Sequence, residues 1–251
     1  MANSIDFIGQ LKNAARSCFA LCGFQISRVD RRYREPPVMG TFPPHTEYSS
    51  IGDPENYFIH AGYRHRSEAI YYDDRANTDE WQREVYRFAR EVFDKNCLKT
   101  VCDLGCGSAF KLLRYFRDCD PIGLDVSSTC EWLRKKYPAY TWLELDFKIA
   151  PPLQPDLVIA ADIIEHLVDP NELLSYITAL KPRYVVLSTP DRNLLRAGTH
   201  NGPPHNVAHI REWSFAELEA YLSTRFQILE HFISNAAQGT QCVLWAPYHA
   251  Y

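Results

Sequence analysis

The run VCDLGCGSA, residues 101–109, sets a carboxylate, Asp103, just ahead of two glycines, Gly105 and Gly107, with Cys106 between them. It lies where an apolar stretch gives way to a helical pattern. Glycines so placed let a backbone turn tightly and approach a ligand with no Cβ in the way. In an open parallel sheet such loops open beyond the carboxyl ends of the strands, where ligands sit. A dinucleotide fingerprint would want a small residue where this chain has Phe110. Asp103 would also repel a pyrophosphate, and it suits a cation such as the amino group of a methionine moiety. Asp125 follows 22 residues later in the run PIGLDV, at the spacing of a ribose-binding acid and just before Val126. Asp146, in the run LELDF with Phe147 next to it, is a third acid at a strand end, suited to accept from an adenine amino group.

The elements that must hold these residues follow from periodicity. From residue 100, short apolar runs at 100–104, 121–124, 141–145, 156–160 and 184–188 alternate with helical patterns at 110–117, 130–137 and 171–180. Strands alternating with helices imply βαβ units and a parallel sheet. Residues 79–96 carry a helical apolar pattern through Trp81, Val85, Phe88, Ala89 and Val92, leading into the first strand. After a helix at 215–222, two runs at 226–232 and 242–246 predict an antiparallel pair at the sheet edge. The expected fold is α/β: a doubly wound, mostly parallel sheet with an N-terminal extension. We divide the chain into 1–78, a helix, a linker and an active-site lid, and 79–251, the cofactor-binding domain. Residues 5–22 read as an amphipathic helix followed by Arg28, Arg31, Arg32 and Arg34. That helix either packs on the domain or makes a peripheral membrane contact.

Composition narrows the class. The chain has 251 residues, 46% hydrophobic and 23% charged, with a formal net charge of -4. Those values suit a globular core and disfavour a nucleic-acid partner, which usually leaves a basic domain. No apolar run reaches the roughly 18 residues of a membrane span. Eight cysteines with no CxxC pair read as reduced thiols in a cytoplasmic protein.

Taken together, VCDLGCGSA, GLDVS, LDF and DLVIAADIIEHLVDP resemble the class I S-adenosylmethionine-dependent methyltransferases, over roughly residues 80–246. They are especially similar to the small-molecule subgroup with a Glu-His segment after the fourth strand. The resemblance implies a seven-stranded sheet whose last strand runs antiparallel. It implies that Asp103, Gly105, Cys106 and Gly107 line the methionine end of the cofactor. Asp125 and Val126 would hold the ribose, and Asp146 and Phe147 the adenine. Ala161 and Asp162, just past the fourth strand, would lie beside the reacting sulfonium. The family often carries a third glycine where this chain has Ala109.

Methyl transfer to a hydroxyl needs alignment and removal of a proton, a task suited to histidine. His166, in DIIEHL, is the first candidate base. His209, in PPHNVAHIREWS, is the second, and Glu165 stands beside His166. Asp162, Glu165, His166 and His209 are also similar to the metal cluster of small-RNA 2′-O-methyltransferases, which would imply Mg²⁺ or Mn²⁺; a metal-free site is preferred. The run HAGYRHR, residues 60–66, either offers Arg64 or Arg66 to the methionine carboxylate or is a solvated basic turn. The expected reaction is O-methylation of a hydroxyl on a sugar, glycan or small metabolite. RNA 2′-O-methylation, a non-catalytic cofactor-binding module and a nicotinamide oxidoreductase are the rivals.

Overall fold

The computed structural model describes residues 52–247 other than 69 and 197–199. The expected helix at 5–22 and its basic exit lie outside the described residues. No helix among the described residues is long and apolar enough to cross a membrane.

The described chain forms α1 (Arg83–Lys95), β1 (Val101–Leu104), α2 (Phe110–Phe116), β2 (Ile122–Asp125), α3 (Ser127–Lys136), β3 (Thr141–Glu144) and β4 (Leu157–Ala161). There follow α4 (Pro170–Leu180), β5 (Tyr184–Pro190), α5 (Arg192–Arg196), α6 (Phe215–Ser223), β6 (Phe226–Asn235) and β7 (Thr240–Pro247). The seven strands form one sheet in the order β3-β2-β1-β4-β5-β7-β6. The first five strands are mutually parallel, and β7 runs antiparallel between β5 and β6. The strand order therefore reverses between β1 and β4, which is where a doubly wound sheet opens a ligand crevice.

Sequence dictates much of this locally. All residues of β1 and β4 are buried, as expected of central parallel strands covered on both faces. Helix α4 starts on Asp169, whose side chain accepts from Asn171 N–H, with Pro170 in the first turn. Helix α6 starts on a reciprocal box in which Ser214 and Glu217 satisfy each other's backbone N–H. One face of the sheet packs on α1, α2 and α3 through Val85, Phe93, Leu112, Phe116 and Leu133. The other packs on α4 and α6 through Leu173, Ile177, Leu218 and Leu222.

Several boundaries differ from the sequence reading. Helix α1 begins at Arg83, so Trp81 precedes it and is exposed. Strand β4 runs one residue further and takes in Ala161, while β3 stops at Glu144, two residues before Asp146. The loop read at 192–209 opens with the short helix α5. Residues ahead of α1 enter the core: Ile59 and Tyr63 are buried among residues of α4, α6 and the sheet.

Candidate functional site

The glycine loop leaves β1 with Gly105 at φ 73° and Gly107 at φ 50°, left-handed values that favour glycine. A Cβ on Gly105 would strike the Ile163 side chain, so the loop lies against the segment after β4. Gly105 and Cys106 donate to Leu124 O at 2.8 and 3.2 Å, tying the loop to β2. Cys106 is buried and its thiol is pushed well up by burial, so it packs rather than reacts. Ala109 takes a left-handed φ of 55° at the cap of α2, a conformation in which glycine would be unstrained.

Asp125 ends β2 and organises the loop: Oδ2 accepts from Gly107 N–H at 2.8 Å and Oδ1 from Val126 N–H at 2.8 Å. Burial nevertheless raises its pKa. Asp103 is fully buried in β1, where Oδ2 accepts from the Tyr86 hydroxyl at 2.7 Å. Its Oδ1 has no hydrogen-bond partner among the described residues. Burial pushes Asp103 up to about 7. A buried carboxylate oxygen left open at a strand end is what a cationic ligand would complete. The loop that carries Asp146 and Phe147 is joined to β2 by Leu145 N–H on Asp125 O at 2.8 Å. Asp146 is exposed, with one oxygen accepting from Lys148 N–H, and Phe147 packs edge-on against Tyr176.

Across the crevice, Asp162 follows β4 with φ 51°. Ser188 on β5 donates to its Oδ1 at 2.5 Å, and Gln82 donates to Oδ2 at 3.0 Å. Gln82 is itself left-handed and reaches over from the start of α1. Glu165 and His166 form a single helical turn beyond. Glu165 is fully buried; Thr189 donates to Oε2 at 2.9 Å, and Oε1 has no hydrogen-bond partner among the described residues. Burial first, then the charge of Asp162, raises Glu165 to about 8. His166 Nδ1 lies 2.9 Å from Ala208 O. A carbonyl only accepts, so Nδ1 carries the proton and Nε2 is the basic nitrogen. Burial lowers the pKa of His166. His209 meets His166 edge-on, 4.9 Å between ring centroids, but is committed on both sides: Nδ1 to Glu212 at 2.9 Å and Nε2 to Asn206 at 2.8 Å. Ligand atoms of Glu165, His166 and His209 lie within 4.8 Å of one another, a grouping that could hold a metal ion. Asp162 stands outside that group.

The arginines of the run at 60–66 bind backbone carbonyls. Arg64 and Arg66 donate to Gly202 O and Pro204 O, and Arg66 N–H to Ile210 O at 2.9 Å. Behind them, Arg192 donates to Glu217 at 2.7 Å, and Glu217 also accepts from His60 N–H. This buried network clamps residues 57–66 to the loop that carries His209. A cavity of about 370 Å³ is lined by His65, Arg66, Ser67, Glu68, Ile70 and Pro203.

A family model described as a methyltransferase domain matches residues 72–236. The chain belongs to this methyltransferase family. It is an S-adenosylmethionine-dependent methyltransferase of class I, in keeping with the sheet order and the acid-and-glycine crevice. Solved structures share the fold at low identity. The N-methyltransferase NodS of Bradyrhizobium japonicum, crystallised with S-adenosyl-L-homocysteine, is 12% identical with a TM-score of 0.51, covering 70% of this chain and 95% of NodS. The methyltransferase domain of bacterial CtHen1-C is 18% identical with a TM-score of 0.50, covering 66% of this chain and 98% of that one. The PH0226 protein of Pyrococcus horikoshii OT3 is 16% identical with a TM-score of 0.50, covering 78% and 100%. No curated protein matches the methyltransferase.

Sequence reasoning had named both halves of the crevice, but it missed Tyr86, Gln82, Asp74 and Glu212. Tyr86 lies in the helix read from periodicity but outside the residues named for its apolar face. Gln82 and Asp74 come from segments with no motif of their own, and Glu212 lies in the run quoted for His209 but was not singled out.

Proposed function

We propose that the methyltransferase transfers a methyl group to a hydroxyl of a sugar, glycan or small metabolite, with His166 as the base. The observation that carries the reading is the state of His166. It is only partly buried, Nδ1 is fixed by Ala208 O, and Nε2, 3.9 Å from Glu165 Oε1, keeps its lone pair. Its lowered pKa keeps the ring neutral, the form that accepts a proton, at neutral pH.

The donor, when bound, supplies an activated methyl group and a good leaving group. In this reading Asp103 accepts from its amino group, the backbone of Gly105, Cys106 and Gly107 supports the methionine end, and Asp125 with Val126 holds the ribose. Asp146 and Phe147 take the adenine edge and face. Ala161 and Asp162 border the reacting end, with Asp162 fixed by Ser188 and Gln82. Glu165, neutral below about pH 8, adds no charge beside His166.

The experiment is a methylation assay with purified enzyme on sugars, glycans and hydroxylated metabolites, with RNA as a separate arm. Methyl ethers that form only when His166 is intact support the reading. Products methylated at nitrogen, or on RNA alone, overturn it.

A second reading has one observation in its favour, the convergence of Glu165, His166 and His209. A divalent ion there would join the open Oε1 of Glu165 to His166 Nε2, and His209 would first have to release Asn206. Such a metal-assisted enzyme, acting on an RNA 2′-hydroxyl or another diol, would lose activity to a chelator and regain it with Mn²⁺ or Mg²⁺. The base reading predicts indifference to chelation.

A further inference from the structure

The donor crevice holds one more carboxylate than the strand ends supply. Asp74 belongs to the segment ahead of α1, and its carboxylate rests directly on Gly107, where a Cβ would coincide with it. Tyr71, three residues earlier, is joined to Thr129 of α3 at 2.9 Å, and Lys111 of α2 holds Thr78 O at 3.2 Å. Both ends of the segment are thus anchored across the mouth of the glycine loop.

The charges facing Asp74 come from four elements. Asp73 on its own segment is paired with Arg75 at 2.8 Å. Asp125 from β2 is its strongest like-charge neighbour, while Lys111 from α2 and Arg75 on its own segment attract it. Asp103 from β1 registers the charge of Asp74 in turn. Lys111 also lies 5.6 Å from the centroid of the Tyr86 ring. Three carboxylates therefore face Lys111, with Arg75 held by Asp73, and Asp103 Oδ1 among them is buried with no hydrogen-bond partner among the described residues. Ribose hydroxyls would fill hydrogen bonds here without reducing the charge. An ammonium group does both.

We propose that Asp74 is a ligand for the ammonium group of the methyl donor, delivered by the 70–82 segment and acting together with Asp103. The assignment rests on the donor reading above and adds a residue to that site. Burial, then repulsion from Asp125, lifts Asp74 to about 6, and burial lifts Asp103 to about 7. An ammonium ligand favours their charged forms, so its affinity rises with pH from 5 to 8, and binding near pH 6.5 releases protons.

The test is calorimetry on the full chain with two probes. S-Adenosylhomocysteine has the ribose and the ammonium group; methylthioadenosine has the ribose and lacks the amino-acid end. Asp74→Asn should weaken S-adenosylhomocysteine about tenfold or more at pH 8, the size of a lost charged hydrogen bond. Methylthioadenosine should bind the variant as it binds the wild type. The exposed control Glu131→Gln on α3, outside this group of charges, should leave both affinities unchanged. Unaltered S-adenosylhomocysteine affinity overturns the proposal. An equal loss for both probes overturns it too, because it places Asp74 at the ribose or in the fold. Wild-type enzyme that binds methylthioadenosine and not S-adenosylhomocysteine refutes the ammonium site, and failure to bind either refutes the donor reading itself.

Discussion

Replacing Asp103 by Asn separates what the site costs the fold from what it does for the ligand. In the folded protein, burial moves Asp103 from 3.8 to about 7. A carboxyl whose folded pKa lies above its unfolded one keeps its proton longer when folded. Stability therefore falls as pH rises from about 4 to about 7 and is level above that. Between pH 5 and pH 7 the change covers two decades of proton activity, at about 1.4 kcal/mol each. The wild type should then lose on the order of 2–3 kcal/mol that the Asn variant does not. The comparison is made by urea denaturation of ligand-free enzyme at pH 5 and pH 8. Taking the difference between the two pH values removes the constant cost of the new amide, which still has the Tyr86 hydroxyl beside it. Calorimetry on the same variant should show S-adenosylhomocysteine affinity reduced at least tenfold at pH 8. Parallel stability profiles for the two proteins would refute the claim that Asp103 is a charge buried for a ligand.

Three more outcomes follow from the same geometry. His166→Ala should leave the S-adenosylhomocysteine Kd within twofold and lower kcat by about 10²-fold or more; in the wild type, kcat should fall only as pH drops through a His166 pKa below 6.5, because the protonated ring cannot accept. A variant that loses donor binding along with turnover would remove the base assignment. Gln82→Ala frees one oxygen of Asp162 and should reduce kcat/KM several-fold with little change in Tm, read by steady-state kinetics and thermal melting. Glu217→Ala leaves Arg192 buried without its carboxylate and should cost about 3 kcal/mol in urea denaturation. A loss under 1 kcal/mol would mean the clamp on residues 57–66 carries no weight.

The sheet was legible in the sequence because its central strands are continuous apolar runs cut off by Gly or Asp. Apart from shifts of one or two residues, β1 to β5 fall where alternation placed them, and the hairpin β6–β7 lies at the expected edge. The glycine loop and Asp125 were equally legible, since their spacing is set by one βαβ unit. Less visible were residues whose role depends on contacts far along the chain. Asp74 meets Gly107 and Asp125, and Gln82 meets Asp162 80 residues away. Neither pairing leaves a period or a spacing to read. The charge of Arg64 or Arg66 suits either a methionine carboxylate or a solvated turn; their hydrogen bonds to the carbonyls of Gly202 and Pro204, 138 residues on, leave no spacing to read. His209 was a fair candidate base by position, but Asn206 and Glu212 occupy both of its ring nitrogens.

The central claim is that carboxylates at the tips of β1 and β2 choose a cationic, ribose-bearing methyl donor over a pyrophosphate. It is tested most directly by titrating the enzyme in a calorimeter with S-adenosylhomocysteine and, separately, with NAD. The account predicts saturable heat with the first, lost on Asp125→Ala, and none with the second. Uptake of NAD with no heat from S-adenosylhomocysteine would contradict it.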